Sequence, residues 1–203
     1  MKHAVYATRL ASFTVGLMVL AFTGAVWAHP GHHEHTHSLL VAGLTHPLTG
    51  FDHLLAMLAV GLWSALTHQR LRQAILTPAS FLVLLFVGAV TGMAGMRLPG
   101  IEPMILASLL VLGLLIASRR AVPQWASMAL VGFFAVFHGL AHGVELPAGK
   151  GAWGFVAGFM FSTLALHMTG LLVGFQLKQY SHWLTRLVGA GIAVYGISLF
   201  AAL

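Results

Sequence analysis

The sequence has no cysteine and very little charge: Asp and Glu number 4, Lys and Arg 10, and charged residues make up 7% of its 203 positions. A soluble domain carries about 25% charged residues, so water is not the main solvent of this chain's surface. The missing cysteines exclude disulfides and thiolate metal sites, which leaves imidazole, carboxylate, thioether and backbone oxygen as ligands for any metal. The formal charge of +6 comes without a basic run or an aromatic-basic stripe, so nucleic acid is excluded as a partner. No Gly-x4-Gly-Lys-Ser/Thr phosphate loop occurs, and direct ATP drive within this chain is not expected. Apolar residues are abundant at 59%, as are histidines, of which there are 13.

The apolar residues come in blocks. Lys2 and Arg9 precede an apolar run from Leu10 to Phe22, and Val26-Trp27-Ala28 places small residues where a leader is cut, so residues 1–28 read as a signal peptide. A retained first membrane helix is the alternative. After a polar tract over 29–38, apolar stretches of roughly 20 residues recur at 47–66, 74–95, 101–117, 123–145, 151–176 and 183–202. Backbone groups in lipid must pair within their own segment, so the spans should be helices. The expectation is an all-α, polytopic membrane bundle, with six transmembrane helices over 39–203 and a 3+3 inverted repeat. With the mature N-terminus periplasmic, Arg70, Arg72, Arg119, Arg120, Lys178 and Arg186 fall at cytoplasmic ends, as the positive-inside rule requires of a bacterial inner-membrane protein. His68 and His182 fall in the cytoplasmic turns, where simple solvation is expected.

Two of the four acidic residues lie in or beside these spans, next to histidines. The first group is His46-Pro47-Leu48-Thr49-Gly50-Phe51-Asp52-His53, at the outer end of the first span. Pro47 suits a first helical turn and holds His46 extended, so the backbone here should be broken or re-entrant. The second is His138-Gly139-Leu140-Ala141-His142-Gly143-Val144-Glu145, at the outer end of the fourth span; its His138, His142 and Glu145 share one helical face. Because those two spans run in opposite directions, both groups reach the same level of the membrane.

A bare dication in a low-dielectric interior is prohibitively costly, and Asp52 with Glu145 would neutralise its charge. Imidazole favours nickel, cobalt, zinc or copper over magnesium and calcium, which prefer oxygen shells. The structural alternative is a carboxylate–histidine network that only fastens helices together. His167, inside the fifth span, is either bonded to a neighbouring helix or a second station on an ion path. Met57, one turn after His53, is read as packing. The polar tract carries His29, His32, His33, His35 and His37, a density suited to loose capture of metal outside the membrane.

These residues resemble the HupE/UreJ family of nickel/cobalt permeases. The resemblance rests on His46-x5-Asp52-His53 and on the run Phe137-His138-Gly139-Leu140-Ala141-His142-Gly143-Val144-Glu145, and extends to the leader, the His-Pro-Gly start at His29 and the span count. It implies secondary import of nickel, sometimes cobalt, for metalloenzymes such as hydrogenase or urease. It also implies that transport depends on His46, Asp52, His53, His138, His142 and Glu145, with the metal as cargo and no prosthetic group. Two readings from other classes compete with it: an intramembrane metal-dependent enzyme, and a metal sensor or assembly protein that transports nothing. His138-x3-His142 lacks the His-Glu-x-x-His order of a zinc protease, which weakens the first.

Overall fold

The computed structural model describes residues 36–120, 122–146, 150–180 and 182–203, and seven helices are defined within them. The leader 1–28, together with His29, His32, His33 and His35 of the polar tract, lies outside the described residues. In chain order the helices are α1 (Thr36–Thr49), α2 (Phe51–Thr67), α3 (Leu71–Met93), α4 (Ile101–Ser118), α5 (Gln124–Glu145), α6 (Lys150–Tyr180) and α7 (His182–Phe200).

From α3 onward each helix coincides with an expected span. These five helices are long and apolar enough to cross a membrane, while α1 and α2 meet the same test only as a pair bent by 79°. Helix ends coincide with the sequence punctuation. Gly100 enters α4 and Arg119 leaves it in the left-handed region, at φ 76° and 51°, and the fixed ring of Pro123 sets the extended entry to α5.

The first span departs from expectation. His46 and Pro47 do not open a helix but lie in the last turn of α1, and the chain breaks at Gly50, whose φ of −88° and ψ of 113° are extended. A proline inside a helix forfeits one backbone hydrogen bond. Packing on α6 compensates: Gly43 sits so close to the Phe155 carbonyl that a side chain would collide with it, and Ser162 Oγ–H donates to the Leu44 carbonyl at 2.6 Å.

Four pairings dominate the bundle: α3 with α5, α2 with α6, α1 with α6, and α4 with α7. Glycines permit backbone-to-backbone approach at the crossings, as expected where helices associate in lipid. Gly88 and Gly139 interlock α3 and α5, Gly61 and Gly170 do so for α2 and α6, and Gly113 and Gly189 for α4 and α7. Helix α2 is the central element, with Ala56, Met57, Val60 and Trp63 essentially inaccessible. Large apolar side chains such as Val83, Leu114, Phe161 and Val194 point outward instead, which suits a lipid solvent. Trp125, Trp153 and Trp183 are exposed in the first turns of α5, α6 and α7, the helix-end positions that interfacial tryptophans favour.

Two polar ties join helix ends on the face assigned to the cytoplasm. Lys178 Nζ–H donates to the carbonyls of His68, at 2.8 Å, and Ala65, at 3.3 Å, satisfying the end of α2. Arg119 Nη1–H donates to His182 Nδ1 at 2.7 Å. His182 is exposed, as a solvated turn residue should be, but His68 is buried: its Nδ1 lies 3.0 Å from the Ser64 carbonyl. Sequence spacing could not show that the end of α2 lies under Lys178.

Candidate metal-handling site

The bend at Gly50 turns the end of α1 and the start of α2 toward one point, and α5 passes beside it. Four imidazoles meet there. Ring centroids are 4.5 Å apart for His46 and His142, 4.9 Å for His53 and His142, 5.5 Å for His53 and His138, and 6.0 Å for His46 and His53. Two sequence groups separated by about ninety residues therefore occupy one locus. Phe155 and Phe159 of α6 wall it off, with Phe159 4.6 Å from His142 and Phe155 5.5 Å from His46.

The hydrogen bonds at these rings are one-sided. Asp52 Oδ1 lies 3.2 Å from His53 Nδ1, so a neutral His53 donates from Nδ1 and keeps its lone pair on Nε2. His138 Nδ1 lies 2.9 Å from the Phe134 carbonyl one turn earlier. His167 Nδ1 lies 2.7 Å from the Met57 carbonyl of α2. A carbonyl oxygen can only accept, so Nδ1 carries the proton in both. In all three rings Nε2 is buried and makes no hydrogen bond, and both nitrogens of His142 share that condition. Each buried, unpaired polar atom costs about 1–3 kcal/mol. His167 does tie α6 to α2 through Nδ1, the fastening role expected as its alternative, but the Nε2 atoms of these rings and both nitrogens of His142 take no part in any tie among the described residues.

The other expected residues are distributed unevenly. Asp52 is half-buried beside His53. Glu145 is the final residue of α5 and is exposed, and it makes no hydrogen bond or ion pair among the described residues. It shares a face with His138 and His142, yet at 1.5 Å of rise per residue it stands about 4.5 Å beyond His142 along the axis. That carries it past the enclosed part of the bundle. His167 is fully buried and makes no ring contact with the four-ring group among the described residues; the Phe81 ring touches both His167 and His138. Met57 is fully buried and contributes its carbonyl to His167. The backbone of His37 lies in the first turn of α1. Among the described residues no three His, Asp or Glu side chains are arranged to hold a metal ion as they stand.

Sequence reasoning missed the aromatic walls. Phe81, Phe155 and Phe159 are apolar residues within apolar spans, and nothing in their spacing separates a wall from ordinary packing. Thr163 was missed for the same reason; it is fully buried and its hydroxyl has no partner.

A helical membrane protein whose interior gathers imidazoles with free Nε2 atoms is the class these observations define. The chain belongs to the HupE/UreJ family: that family's profile, described as HupE / UreJ protein, matches residues 17–199. It is similar to Protein HupE of Rhizobium leguminosarum bv. viciae, with 34% identity over 192 residues that cover 94% of this chain and 98% of that protein. No solved structure matches.

Proposed function

We propose that this protein is a secondary transporter that imports a divalent transition metal, nickel or cobalt, across the bacterial inner membrane for metalloenzyme maturation. The observation that carries the proposal is the shared state of His53, His138 and His167: Nδ1 engaged, Nε2 free and buried. Metal-binding histidines are typically held this way, with the second nitrogen donating to a carboxylate or carbonyl that fixes the ring and raises its basicity. In this reading residues 1–28 are a cleaved leader, and His29, His32, His33, His35 and His37 collect the ion in the periplasm. His46, Asp52, His53, His138 and His142 replace its water shell, Glu145 adds negative charge at the mouth, and His167 is the next station inward. Modest ring rotations would bring the four imidazoles onto one ion. Inward movement of a dication gains roughly 4.6 kcal/mol per 100 mV of inside-negative potential, twice the value for one charge.

The helix pairings support a six-span, 3+3 inverted architecture. Gly88 abuts the Val136 carbonyl as Gly170 abuts that of Leu58; Gly92 meets Leu140 as Gly174 meets Leu62; Gly139 meets Leu85 as Gly61 meets His167. One constant register carries Leu58, Gly61 and Leu62 of α2 onto Val136, Gly139 and Leu140 of α5. A second carries Leu85, Gly88 and Gly92 of α3 onto His167, Gly170 and Gly174 of α6. In the remaining pair Gly113 abuts Ala193 as Gly189 abuts Ala117, so α4 and α7 exchange with each other. Paired helices related in this way are the usual frame for alternating access around a midplane site.

The decisive experiment is entry of nickel or cobalt into proteoliposomes under an imposed inside-negative potential, read by an internal metal-quenched dye. Wild-type protein should give saturable entry, and His53→Ala or His138→Ala should reduce entry at low metal by about 10–100-fold. Wild-type vesicles that admit no more metal than protein-free ones would overturn the transport reading.

A further inference from the structure

The four-ring group and His167 share one neighbour, Phe81. Phe81 of α3 lies 5.7 Å from the His138 ring and 4.9 Å from the His167 ring, edge-on to the latter, and is 1% exposed. No ring contact joins His138 to His167 directly among the described residues. Each of these histidines has Nε2 buried and unpaired. Phe81 is thus an apolar ring in contact with both histidines at the step from one to the other. From these contacts we infer that Phe81 is the gate of the translocation path, and that its ring must swing aside for each ion passing from the outer imidazoles to His167. This inference rests on the transport reading above.

Three features make the side chain, rather than the helix, the moving part. The backbone of α3 is locked one to two turns beyond Phe81, where Gly139 approaches the Leu85 carbonyl and Gly88 the Val136 carbonyl too closely for even a methyl group. A shift of α3 would therefore drag α5 and His138 with it. His138 and His167 are each held by a hydrogen bond to a carbonyl, which allows small rotations but opposes a swing of either ring out of its place. Phe81 is held only by packing within the apolar core. An apolar constriction excludes hydrated ions and the water chains along which protons move, which gives the ring a second task. The register of the proposed repeat carries Phe81 onto Thr163, a small buried residue, so the other half of the molecule does not duplicate the barrier.

The test uses full-length protein in proteoliposomes under a potassium-diffusion potential, with nickel entry and proton entry recorded separately. Phe81→Ala should make nickel entry unsaturable and raise metal-independent proton entry about tenfold, the change expected for a barrier lowered by ~1.4 kcal/mol. Phe81→Leu should show a smaller rise in both. Phe81→Trp should slow nickel entry while equilibrium nickel binding to the detergent-solubilised protein stays at the wild-type level. A merely structural role would lower nickel entry without opening a proton leak, and that result overturns the gate. So do Ala and Leu variants, at wild-type abundance, with both fluxes unchanged. Should Phe81→Ala fail to fold, the Leu and Trp variants decide by the same criteria. If wild-type protein carries no nickel, the transport reading fails and the gate with it, whereas wild-type transport with indifferent Phe81 variants removes the gate alone.

Discussion

Asp52 and His53 are adjacent in sequence, and their side chains meet because both project from the first turn of α2 just past the bend at Gly50. The carboxylate acts through the imidazole: by accepting the Nδ1–H hydrogen bond it leaves Nε2 as the ligand atom. Asp52→Asn preserves the shape and removes the charge, and it should raise the half-saturating nickel concentration about 10–100-fold. Once His53→Ala is present, adding Asp52→Asn should cost much less, because the two residues work as a unit. Uptake titrations on the four proteins of this cycle measure the coupling, and independent, multiplying effects would show that Asp52 does not act through His53. Glu145 should differ from Asp52. As an exposed residue at the end of α5, Glu145→Gln should slow uptake chiefly at low ionic strength, the signature of a screened charge at an entrance. Uptake rates compared at low and high salt check this, and a loss equal at both would place Glu145 among the direct ligands.

Helix α3 meets α5 at a distance only glycine allows. A methyl group at Gly139 would collide with backbone atoms of Leu85, Gly88 and Ala89, none of which can move without its helix, whereas one at Gly191 in α7 meets nothing. Gly139→Ala should therefore destabilise the protein by about 1–3 kcal/mol, and Gly191→Ala should be nearly silent. Thermal aggregation midpoints of the detergent-solubilised variants distinguish them, and equal midpoints would mean that this crossing is not tightly packed. The same helices show what hydropathy can reveal. Helices α3 to α7 were legible because each must hold about 20 apolar residues between polar turns, and lipid enforces that length. Helix α1 was not: Thr36 and His37 fell in the polar tract and His46-Pro47 read as a broken entry, and the segment is helical because α6 offers Phe155, Gly158 and Ser162 as a surface for it. A local pattern cannot announce a surface supplied by residues a hundred positions away.

The whole molecule makes a prediction about sidedness. Alternating spans with a periplasmic start place Gln69 and Trp125 at cytoplasmic turns and Met96 and Leu203 at periplasmic ones; all four are exposed. The natural absence of cysteine makes single substitutions clean reporters. Met96→Cys and Leu203→Cys should react with an impermeant maleimide on intact spheroplasts, and Gln69→Cys and Trp125→Cys only after permeabilisation. The reverse pattern would invert the protein and place the four-ring group at the cytoplasmic side, which overturns the proposed entry route. The ties of Lys178 to the end of α2 and of Arg119 to His182 lie on one face, the face to which charge counting assigned the cytoplasm.

Composition, hydropathy and charge placement were enough to read a helical membrane protein, the positions of its later spans and the identity of its histidine-rich groups, because solvent imposes those features on each segment separately. Spacing along one helix also showed that His138 and His142 share a face, since 3.6 residues per turn needs no partner. What required the folded chain was everything that depends on two segments at once. The bend at Gly50 that aims His46 and His53 at α5, the burial of His68, the exposure of Glu145 and the contact of Phe81 with both His138 and His167 all follow from helix crossings. Backbone contact at glycines sets those crossings, and a linear pattern carries no record of which glycines will meet.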